Sequence, residues 1–428
     1  MIFYLSGFAA FLLVGVPVAL ALGLASLVYL YLTGNTHLLI AFPQRMIAGV
    51  DQFVLLTIPF FLLAGNFMNA GGITDEIVRL AQTLVGRVRG GLAAVTVVAS
   101  MLFSGVSGAA TAEASALGSV LIPAMRRDGY DPRYAAALVA TSSILGPLVP
   151  PSLALILYGV LTGTSIGDLF IAGIGPAIIL CLALVAYVLI KARREGHPPS
   201  PMLGKAERRR SLRRGAPALL LPVIIVGGIR SGIFTPTEAA AIAALYALLL
   251  AVFFYRTMGF AAFWNALFET ATLSAGIMLI VAMASMTAFV LGFENVPRQI
   301  AAGLTSLTQD PALLLLLINA LLLMLGLFLE PLAALILVMP ILIEVVQTIG
   351  LDPVQFGVMV VLNLMIGMIT PPVGLCLFIV SAIGRVPIEG VSRAALPMIV
   401  ICVAVLLLVA FVPDLTLFLP SLIAEGGN

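Results

Sequence analysis

The sequence predicts an all-α integral membrane protein, built as an inverted repeat with two re-entrant helical hairpins and two discontinuous transmembrane helices. Hydrophobic residues make up 62% of the 428 residues and charged residues only 9%, whereas soluble domains carry about 25% charged residues. Several apolar runs approach the roughly 20 residues that a helix needs to cross a bilayer. A turn-and-proline pattern also occurs twice, once in each half of the chain, at a constant offset of 221 positions.

The repeated pattern is a Gly-x-Asp-Pro turn followed by a further glycine and by a pair of prolines in an apolar stretch. Proline interrupts a helix because it lacks the backbone N–H and clashes with an earlier carbonyl group. In a bilayer the freed backbone groups must be satisfied by protein, water or an ion. Matching broken helices in the two halves of a membrane protein indicate a transporter's binding site, so the sequence favours a secondary transporter. The first copy comprises Gly129, Asp131, Pro132, Gly146, Pro150 and Pro151, and the second Gly350, Asp352, Pro353, Gly367, Pro371 and Pro372.

The predicted elements follow the same order in both halves. We expect a first repeat (1–190) with a hairpin at 91–125 and a broken helix at 133–162. A basic linker (191–215) and a connecting helix (216–235) follow. The second repeat (236–428) is expected to contain a hairpin at 312–346 and a broken helix at 354–383. Together with other apolar runs they predict about nine crossings. These runs are Gly7–Leu32, expected to be a retained helix, Phe170–Ile190, Ala216–Ile229, Ala239–Tyr255, Ala271–Leu291 and Ala394–Val412, and amphipathic helices are expected over Thr74–Arg89 and Pro297–Gln309.

The distribution of basic residues orients the two halves. Nine of the 21 Lys and Arg residues lie between Lys191 and Arg214, so the positive-inside rule places this linker in the cytoplasm. Basic residues flank the first hairpin, whereas none lies between Arg298 and Arg385. The two hairpins are therefore expected to open to opposite sides of the membrane. We expect the linker to be flexible and to contact anionic lipid headgroups.

Several function classes lack the residues that they require. No Gly-rich phosphate loop ending in Gly-Lys-Ser/Thr occurs, so we do not expect ATP hydrolysis. The three cysteines lie in apolar segments, and the two histidines, His37 and His197, lie in predicted loops. Residues 105–108 match the Gly-x-Ser-Gly motif of an intramembrane serine protease, but that mechanism needs a histidine base in the membrane. We expect no enzyme, no metal cluster and no nucleic-acid partner, and paired hairpins favour alternating access over a passive channel.

Polar residues near the breaks are the candidate ligands. Unwound carbonyl groups and hydroxyl oxygens suit a hard cation such as sodium, whereas the N-terminal ends of half-helices suit an anionic substrate. Asn363 lies two turns before the second break and is expected to reach the same cavity. For any single Ser or Thr, the alternative is a hydrogen bond to its own helix. The hydroxyl residues are Ser104, Ser107, Thr141, Ser142, Ser143, Ser152 and Thr370.

Glu113 and Glu330 are the acidic residues nearest to the two hairpin tips. Carboxylates inside a membrane are costly and by default functional. Glu113 follows the first tip by about two turns, where it could take part in ion coupling or hydrogen-bond the backbone of the tip. Glu330 precedes Pro331 and could couple an ion or cap the half-helix that starts there. The sequence leaves both roles open for each residue.

A series of motifs resembles those of the large membrane subunit of the TRAP (tripartite ATP-independent periplasmic) transporters, the DctM-type permease. The resemblance covers almost the whole chain, and the order of the motifs makes it specific. The motifs are Ile58–Asn69, Ser104–Gly108, Leu121–Met125, Gly129–Pro132, Gly146–Ser152, Thr235–Ala240 and Asn363–Gly374.

The resemblance implies sodium-driven uptake of an organic anion, such as a C4-dicarboxylate or sialic acid, across a bacterial inner membrane by an elevator motion. It implies two partners, a periplasmic substrate-binding protein and a small four-helix membrane subunit. Because the first predicted helix starts at the N-terminus, we expect that subunit to be a separate chain. The nearest alternative is a stand-alone sodium–carboxylate symporter without a binding protein.

The resemblance also implies where sodium and substrate bind. Two sodium sites are expected, one at each junction between a hairpin and a break. The first comprises Ser104, Ser107, Gly108, Ser143, Gly146 and Pro150, and the second Gly326, Gly367, Thr370 and Gly374. Substrate is expected at Ser107, Gly108, Ser152, Asn363 and Pro372.

Overall fold

The computed structural model describes residues 2–86, 88, 90–195, 204–308 and 310–425. Its regular secondary structure is helical, and the described residues contain no β-strand. Arg87, Arg89, His197 and Gln309, on which parts of the sequence argument rested, lie outside the described residues. The all-α fold class is confirmed.

Twenty α-helices follow one another along the described ranges. The first half contains α1 Ile2–Leu13, α2 Val18–Leu32, α3 Ala41–Val50, α4 Thr57–Ala70, α5 Ile73–Val85, α6 Gly91–Ser107, α7 Ala110–Arg127, α8 Pro132–Ser142, α9 Leu153–Thr162 and α10 Ile166–Glu195. The second half contains α11 Lys205–Arg230, α12 Pro236–Leu249, α13 Phe260–Phe293, α14 Val296–Leu307, α15 Pro311–Phe328, α16 Pro331–Ile349, α17 Pro353–Gly367, α18 Leu375–Gly384, α19 Ile388–Phe411 and α20 Asp414–Glu425.

Among the described residues, seven helices are long and apolar enough to cross a membrane, or eight if a bent pair counts as one span. The sequence predicted about nine crossings. The difference arises because several apolar helices, including α2, α17 and α18, are shorter than a full span. A break divides one crossing into two half-length helices, so length alone undercounts crossings in a chain of this kind.

The N-terminal apolar run differs from its prediction as one helix over Gly7–Leu32. The chain turns between α1 and α2, which pack against each other. Gly15 lies in the left-handed region (φ +88°), and Pro17, which has no backbone N–H, precedes α2. Both residues favour a turn. The sequence argument missed this turn because the whole apolar run was taken as one helix.

The two Gly-x-Asp-Pro turns start the two discontinuous helices. Asp131 Oδ1 accepts a hydrogen bond from Arg133 N at 2.8 Å, and Asp352 Oδ1 accepts one from Val354 N at 2.8 Å. In each case the proline occupies the first helical turn, where its missing N–H costs nothing. The preceding glycines have positive φ angles of 86° and 69°. The repeated pattern is thus a left-handed turn followed by a capped helix start.

Both hairpins and both broken helices are present. Helices α6 and α7 meet at a tip around Gly108, and α15 and α16 meet around Leu329 and Glu330. Helix α8 continues as a 3-10 turn over Ser143–Leu148, and this combined segment makes an angle of 41° with α9. The second break lies between α17 and α18. A proline pair with a cis peptide bond, Pro150-Pro151 or Pro371-Pro372, lies in each break.

The hairpins and breaks of the two repeats interleave. Helix α18 of the second repeat packs against α7 and α8, and α16 packs against α9. A second group of helices, α1 to α4 with α12 and α13, forms its own contacts. In this group Asn66 Nδ2 donates to Thr270 Oγ1 at 2.9 Å, and Thr57 and Thr237 share a hydrogen bond of 3.0 Å. We refer to the helices of the hairpins and breaks, α6–α9 and α15–α18, as the hairpin group and to the second group as the peripheral group; they meet where α4 contacts α6 and α13 contacts α16.

The basic linker is largely helical where the structure describes it, in contrast to the flexible segment predicted for 191–215. Residues 191–195 end α10 and residues 205–215 begin α11, while 196–203 lie outside the described residues. Arg, Lys, Glu and Ala are strong helix formers. Gly204 N also donates to Glu207 Oε2 at 3.2 Å, which stabilises the start of α11.

The two predicted amphipathic helices are present as α5 and α14. Helix α5 is shorter than predicted, because it ends at Val85. It packs against α6 and α11, and its Glu76 forms a salt bridge of 3.1 Å with Arg214. Helix α5 therefore contacts both the first hairpin and the basic start of α11.

Candidate functional site

A cavity of about 410 Å³ lies between the hairpin group and the peripheral group. The first hairpin contributes Ser107 and Thr111, and the second contributes Glu330. The peripheral helices α4 and α13 contribute further polar and small residues, and apolar side chains such as Phe103 and Ile277 complete the wall. A mostly apolar cavity with a few convergent polar groups is the usual form of a small-molecule site.

The tips of the two hairpins meet beside this cavity. A smaller space of about 40 Å³ separates them and is lined by Gly108, Pro147, Glu330 and Met368, among others. The first residues of α7, α9 and α16 line the same region: Ala110, Leu153 and Pro331. The N-terminal end of a helix carries unsatisfied N–H groups and partial positive charge. The arrangement thus suits an anionic group.

The first hairpin touches the first break through a glycine. Gly108 has a φ angle of +61°, and a Cβ atom at this position would lie 2.3 Å from the carbonyl oxygen of Pro151. Only glycine allows this approach, because any side chain would collide with the backbone. The predicted residue Gly108 therefore lies against Pro151, the neighbour of the predicted residue Pro150.

Glu113 links the first hairpin to the same break. Its side chain is fully buried, and its Oε2 lies 3.3 Å from Ser104 Oγ, whose shorter hydrogen bond of 2.6 Å goes to Ser100 O. A Cβ atom on Gly146 would lie 2.7 Å from Glu113 Oε2. The carboxylate therefore lies against the break rather than in the 410 Å³ cavity.

The hydroxyl groups near the first junction fall into two classes. Ser104, Thr141 and Ser143 donate to carbonyl groups of Ser100, Ala137 and Ala140 one turn earlier, which is the alternative that the sequence left open, and Ser152 donates to Pro147 O in the 3-10 turn. Four buried oxygen atoms have no hydrogen-bond partner within the described residues: Ser100 Oγ, Ser107 Oγ, Ser142 Oγ and Glu113 Oε1. Buried polar atoms of this kind require an explanation, and a bound cation would supply one.

The second junction is a backbone contact. A Cβ atom on Gly367 would lie 2.4 Å from the carbonyl carbon of Gly326. Thr370 Oγ1 donates to Ile366 O at 2.6 Å. Gly374, with a φ angle of +57°, approaches the carbonyl oxygen of Thr370. Gly326 therefore lies against Gly367 at the end of α17. Thr370 and Gly374 approach each other within the break that follows.

Asn363 contacts the second hairpin instead of a described cavity. Its Nδ2 donates to the carbonyl oxygen of Asn319 at 2.9 Å and to Asn319 Oδ1 at 2.8 Å. Its Oδ1 is buried without a partner in the described part of the chain. Asn363 is therefore a contact between α17 and α15 in this conformation.

The other predicted substrate residues lie at different places. Ser107 lines the 410 Å³ cavity and Gly108 lines the space between the tips. Ser152 is buried and caps α9, since its Oγ accepts from Leu155 N at 3.2 Å. Pro372 is exposed in the second break. Ser152, Asn363 and Pro372 line neither of these two spaces.

Glu330 both caps a helix and faces the cavities. Its Oε2 accepts a hydrogen bond from Ala333 N at 3.1 Å, as expected for a carboxylate before a helix that starts with proline. The same residue lines the 410 Å³ cavity and the space between the tips.

Sequence reasoning missed the peripheral wall of the site. Asn66 and Asn69 of α4, and Thr272 and Gly276 of α13, line the cavity. The two asparagines are three positions apart in an apolar helix, so they share one face. Intramembrane amides on one face were a usable signal, but the sequence argument treated them only as part of a motif.

The chain is similar to known membrane transporters in sequence and in fold. A family described as "Tripartite ATP-independent periplasmic transporter, DctM component" matches residues 5–415. The chain is 43% identical to the sialic acid TRAP transporter large permease protein SiaM of Vibrio cholerae, over 99% of each chain. It is 42% identical to the C4-dicarboxylate TRAP transporter large permease protein DctM of Pseudomonas aeruginosa, over 87% of each. The crystal structure of the Alcanivorax borkumensis YdaH transporter shares the fold, with a TM-score of 0.63 and 16% identity over 92% of this chain and 90% of that one.

Proposed function

This chain belongs to the DctM family of TRAP transporter large permeases, and from that premise we propose that it imports an organic carboxylate by sodium-coupled transport. The family is one of multi-pass inner-membrane permeases rather than of enzymes. Two relatives are named for sialic acid and for C4-dicarboxylates, which are carboxylates, and another is named for isethionate, a sulfonate. We propose a carboxylate substrate here.

The observation that carries the proposal is the 410 Å³ cavity between the two groups of helices. Its lining contains no Lys or Arg residue. A carboxylate would instead meet neutral donors and the N-terminal ends of α7, α9 and α16, while the acidic Glu330 of the lining already accepts a hydrogen bond from Ala333 N. The hydroxyls of Ser107 and Thr111 and the amides of Asn66 and Asn69 are side-chain donors that line the cavity.

The unpartnered oxygens at the first junction support sodium coupling. Ser107 Oγ, Ser142 Oγ and Glu113 Oε1 are buried beside the break, and a hard cation prefers oxygen ligands. The second junction offers backbone carbonyl groups around Gly367 and Thr370. Ser107 both lines the cavity and belongs to the first proposed sodium site, so bound sodium and bound substrate would stabilise the same hairpin tip.

The division into two helix groups supports an elevator mechanism. Hairpins and broken helices pack on one another across the repeats, while the peripheral group has its own hydrogen bonds. The cavity lies where the two groups meet. Movement of the hairpin group past α4 and α13 would carry Ser107 and Glu330 with the substrate and leave Asn66 and Asn69 behind.

The proposed assembly has three components. TRAP large permeases work with a small membrane subunit and a periplasmic binding protein. We propose that the binding protein delivers the carboxylate to the outer face of this chain. We also propose that a separate four-helix subunit packs against the peripheral helices.

Uptake into proteoliposomes tests the proposal. The chain and its small subunit would be reconstituted and supplied with sialic acid or a C4-dicarboxylate, with and without a sodium gradient and a cognate binding protein. We expect uptake only when both are present. Sodium-driven uptake without the binding protein would identify a stand-alone symporter, and uptake that ignores the gradient would refute sodium coupling.

A further inference from the structure

A basic groove lies at the start of α11, away from the carboxylate cavity. The groove has a volume of about 1180 Å³ and is lined by Ala206, Arg209, Arg210, Leu212, Arg213, Arg214 and Phe254. Phe254 ends the helical segment that follows α12. By the distribution of charge along the chain, this end of α11 faces the cytoplasm.

The four arginines of the groove differ in their acidic neighbours. Arg214 is neutralised by Glu76, with Nη1 and Oε1 3.1 Å apart, and Arg210, which forms no salt bridge among the described residues, also lines a second pocket with Glu76 and Glu207. Arg209 and Arg213 are exposed. Within the part of the chain that the structure describes, neither forms a salt bridge.

These two arginines continue an apolar face of α11. Arg209, Arg213, Leu220 and Val223 recur at spacings that place them on one side of a helix. Leu220 is 51% exposed and Val223 is 63% exposed, as expected for side chains that face lipid. The same side of the helix thus changes from charged to apolar along its axis. Phe254, 43% exposed, adds an aromatic ring at the charged end.

The interface of α11 with α12 and with the segment after α12 gives the groove a defined wall. Tyr255 donates its hydroxyl to Arg214 O at 2.5 Å, and Tyr246 donates to Pro217 O at 2.8 Å. These two bonds hold the helices together where the charged part of α11, which ends at Arg214, meets its apolar part. The groove is therefore a built feature of two helices, not a mobile run of basic residues.

We propose that this basic groove binds an anionic phospholipid of the cytoplasmic leaflet, with Arg209 and Arg213 on the phosphate group. Guanidinium groups bind phosphate oxygens in a bidentate manner, and basic pockets at this level of a membrane protein suit anionic headgroups. The acyl chains lie along Leu220 and Val223. A soluble anion would match only the charged half of this surface, whereas a phospholipid matches both halves.

Lipid binding to the purified full-length chain tests the proposal. Dioleoyl phosphatidylglycerol and dioleoyl phosphatidylcholine would be compared as probes, with bound lipid measured by native mass spectrometry. The test variant is Arg209→Gln/Arg213→Gln. The matched control is Arg193→Gln/Arg194→Gln, which removes two exposed charges at the end of α10, outside the groove.

We expect the test variant to weaken phosphatidylglycerol binding on the order of tenfold. The control variant should bind phosphatidylglycerol as the unmodified chain does. Phosphatidylcholine binding should be the same for all three proteins. Equal weakening by both variants would show diffuse attraction and overturn the proposal. No weakening would also overturn it. Full competition by glycerol 1-phosphate would identify a soluble phosphate site instead and would also overturn the proposal.

Discussion

Gly326 and Gly367 touch backbone to backbone at the junction of the second hairpin and the second broken helix. A Cβ atom on Gly367 would lie 2.4 Å from the carbonyl carbon of Gly326 and 2.6 Å from its carbonyl oxygen. The contact brings α15 against α17 beside the break that carries Pro371 and Pro372. Two helices can approach this closely only where both lack a side chain, as small residues allow in membrane bundles.

Gly367→Ala is expected to destabilise the protein and to abolish uptake. The added methyl group meets backbone that cannot rotate away, and overpacking of this kind costs about 1–3 kcal/mol. The unfolding temperature of the purified protein and uptake into proteoliposomes check this. Gly227→Ala in α11 is the control, because nothing lies within 4 Å of its Cβ position. Normal stability of Gly367→Ala would contradict the observed contact.

Gly108→Ala is expected to abolish uptake because the first tip could no longer rest on the first break. The new Cβ atom would lie 2.3 Å from Pro151 O, in a backbone region with φ +61°. Gly129→Ala is the matched control, since Gly129 also has a positive φ but no atom within 4 Å of its Cβ position. The control should cost only the conformational penalty of about 1–2 kcal/mol. Equal uptake by both variants would show that the tip contact is dispensable.

Ser107→Ala is expected to raise the sodium concentration for half-maximal uptake by about tenfold, equivalent to about 1.4 kcal/mol of lost binding. Its buried Oγ has no partner in the described residues and is a proposed sodium ligand. Thr96→Val in the same hairpin is the control, because Thr96 Oγ1 already donates to Leu92 O at 3.0 Å. If both variants keep the original sodium dependence, Ser107 is not a ligand.

Asn69→Ala is expected to raise the KM for the carboxylate about threefold to tenfold, since a neutral hydrogen bond contributes about 0.5–1.5 kcal/mol. Asn69 lines the cavity from the peripheral side and belongs to neither proposed sodium site. The half-saturating sodium concentration should therefore stay constant, and measuring both quantities in one uptake series separates the two effects. A shift in sodium dependence alone would place Asn69 in ion binding instead.

Asn363→Leu is expected to destabilise the protein more than its size change suggests, because the acceptor groups of Asn319 lose their donor. The double variant Asn319→Leu/Asn363→Leu should lose less than the sum of the two single variants. Coupling energies for such pairs in membranes average about 0.6 kcal/mol. A double-mutant cycle of unfolding free energies measures this term, and strict additivity would mean that the pair contributes no net interaction.

The turns and breaks could be predicted from the sequence because local backbone chemistry determines them. Asp131 and Asp352 cap helices that begin with proline, and each proline pair prevents the next residues from continuing a helix. The turn at Gly15 and Pro17 used the same chemistry but was missed, because it lies within an unbroken apolar run. The helical start of α11 was missed because its charge pattern was taken as evidence of a linker.

The sequence by itself determined the helical class, the two hairpins and the two breaks, since each depends on interactions between neighbours along the chain. Only the tertiary structure decided that Asn66 and Asn69 face the hairpin tips and that Asn363 turns to Asn319. It also decided that Glu113 lies against Gly146. These contacts join distant segments, and their geometry depends on how whole helices pack, which no local pattern specifies.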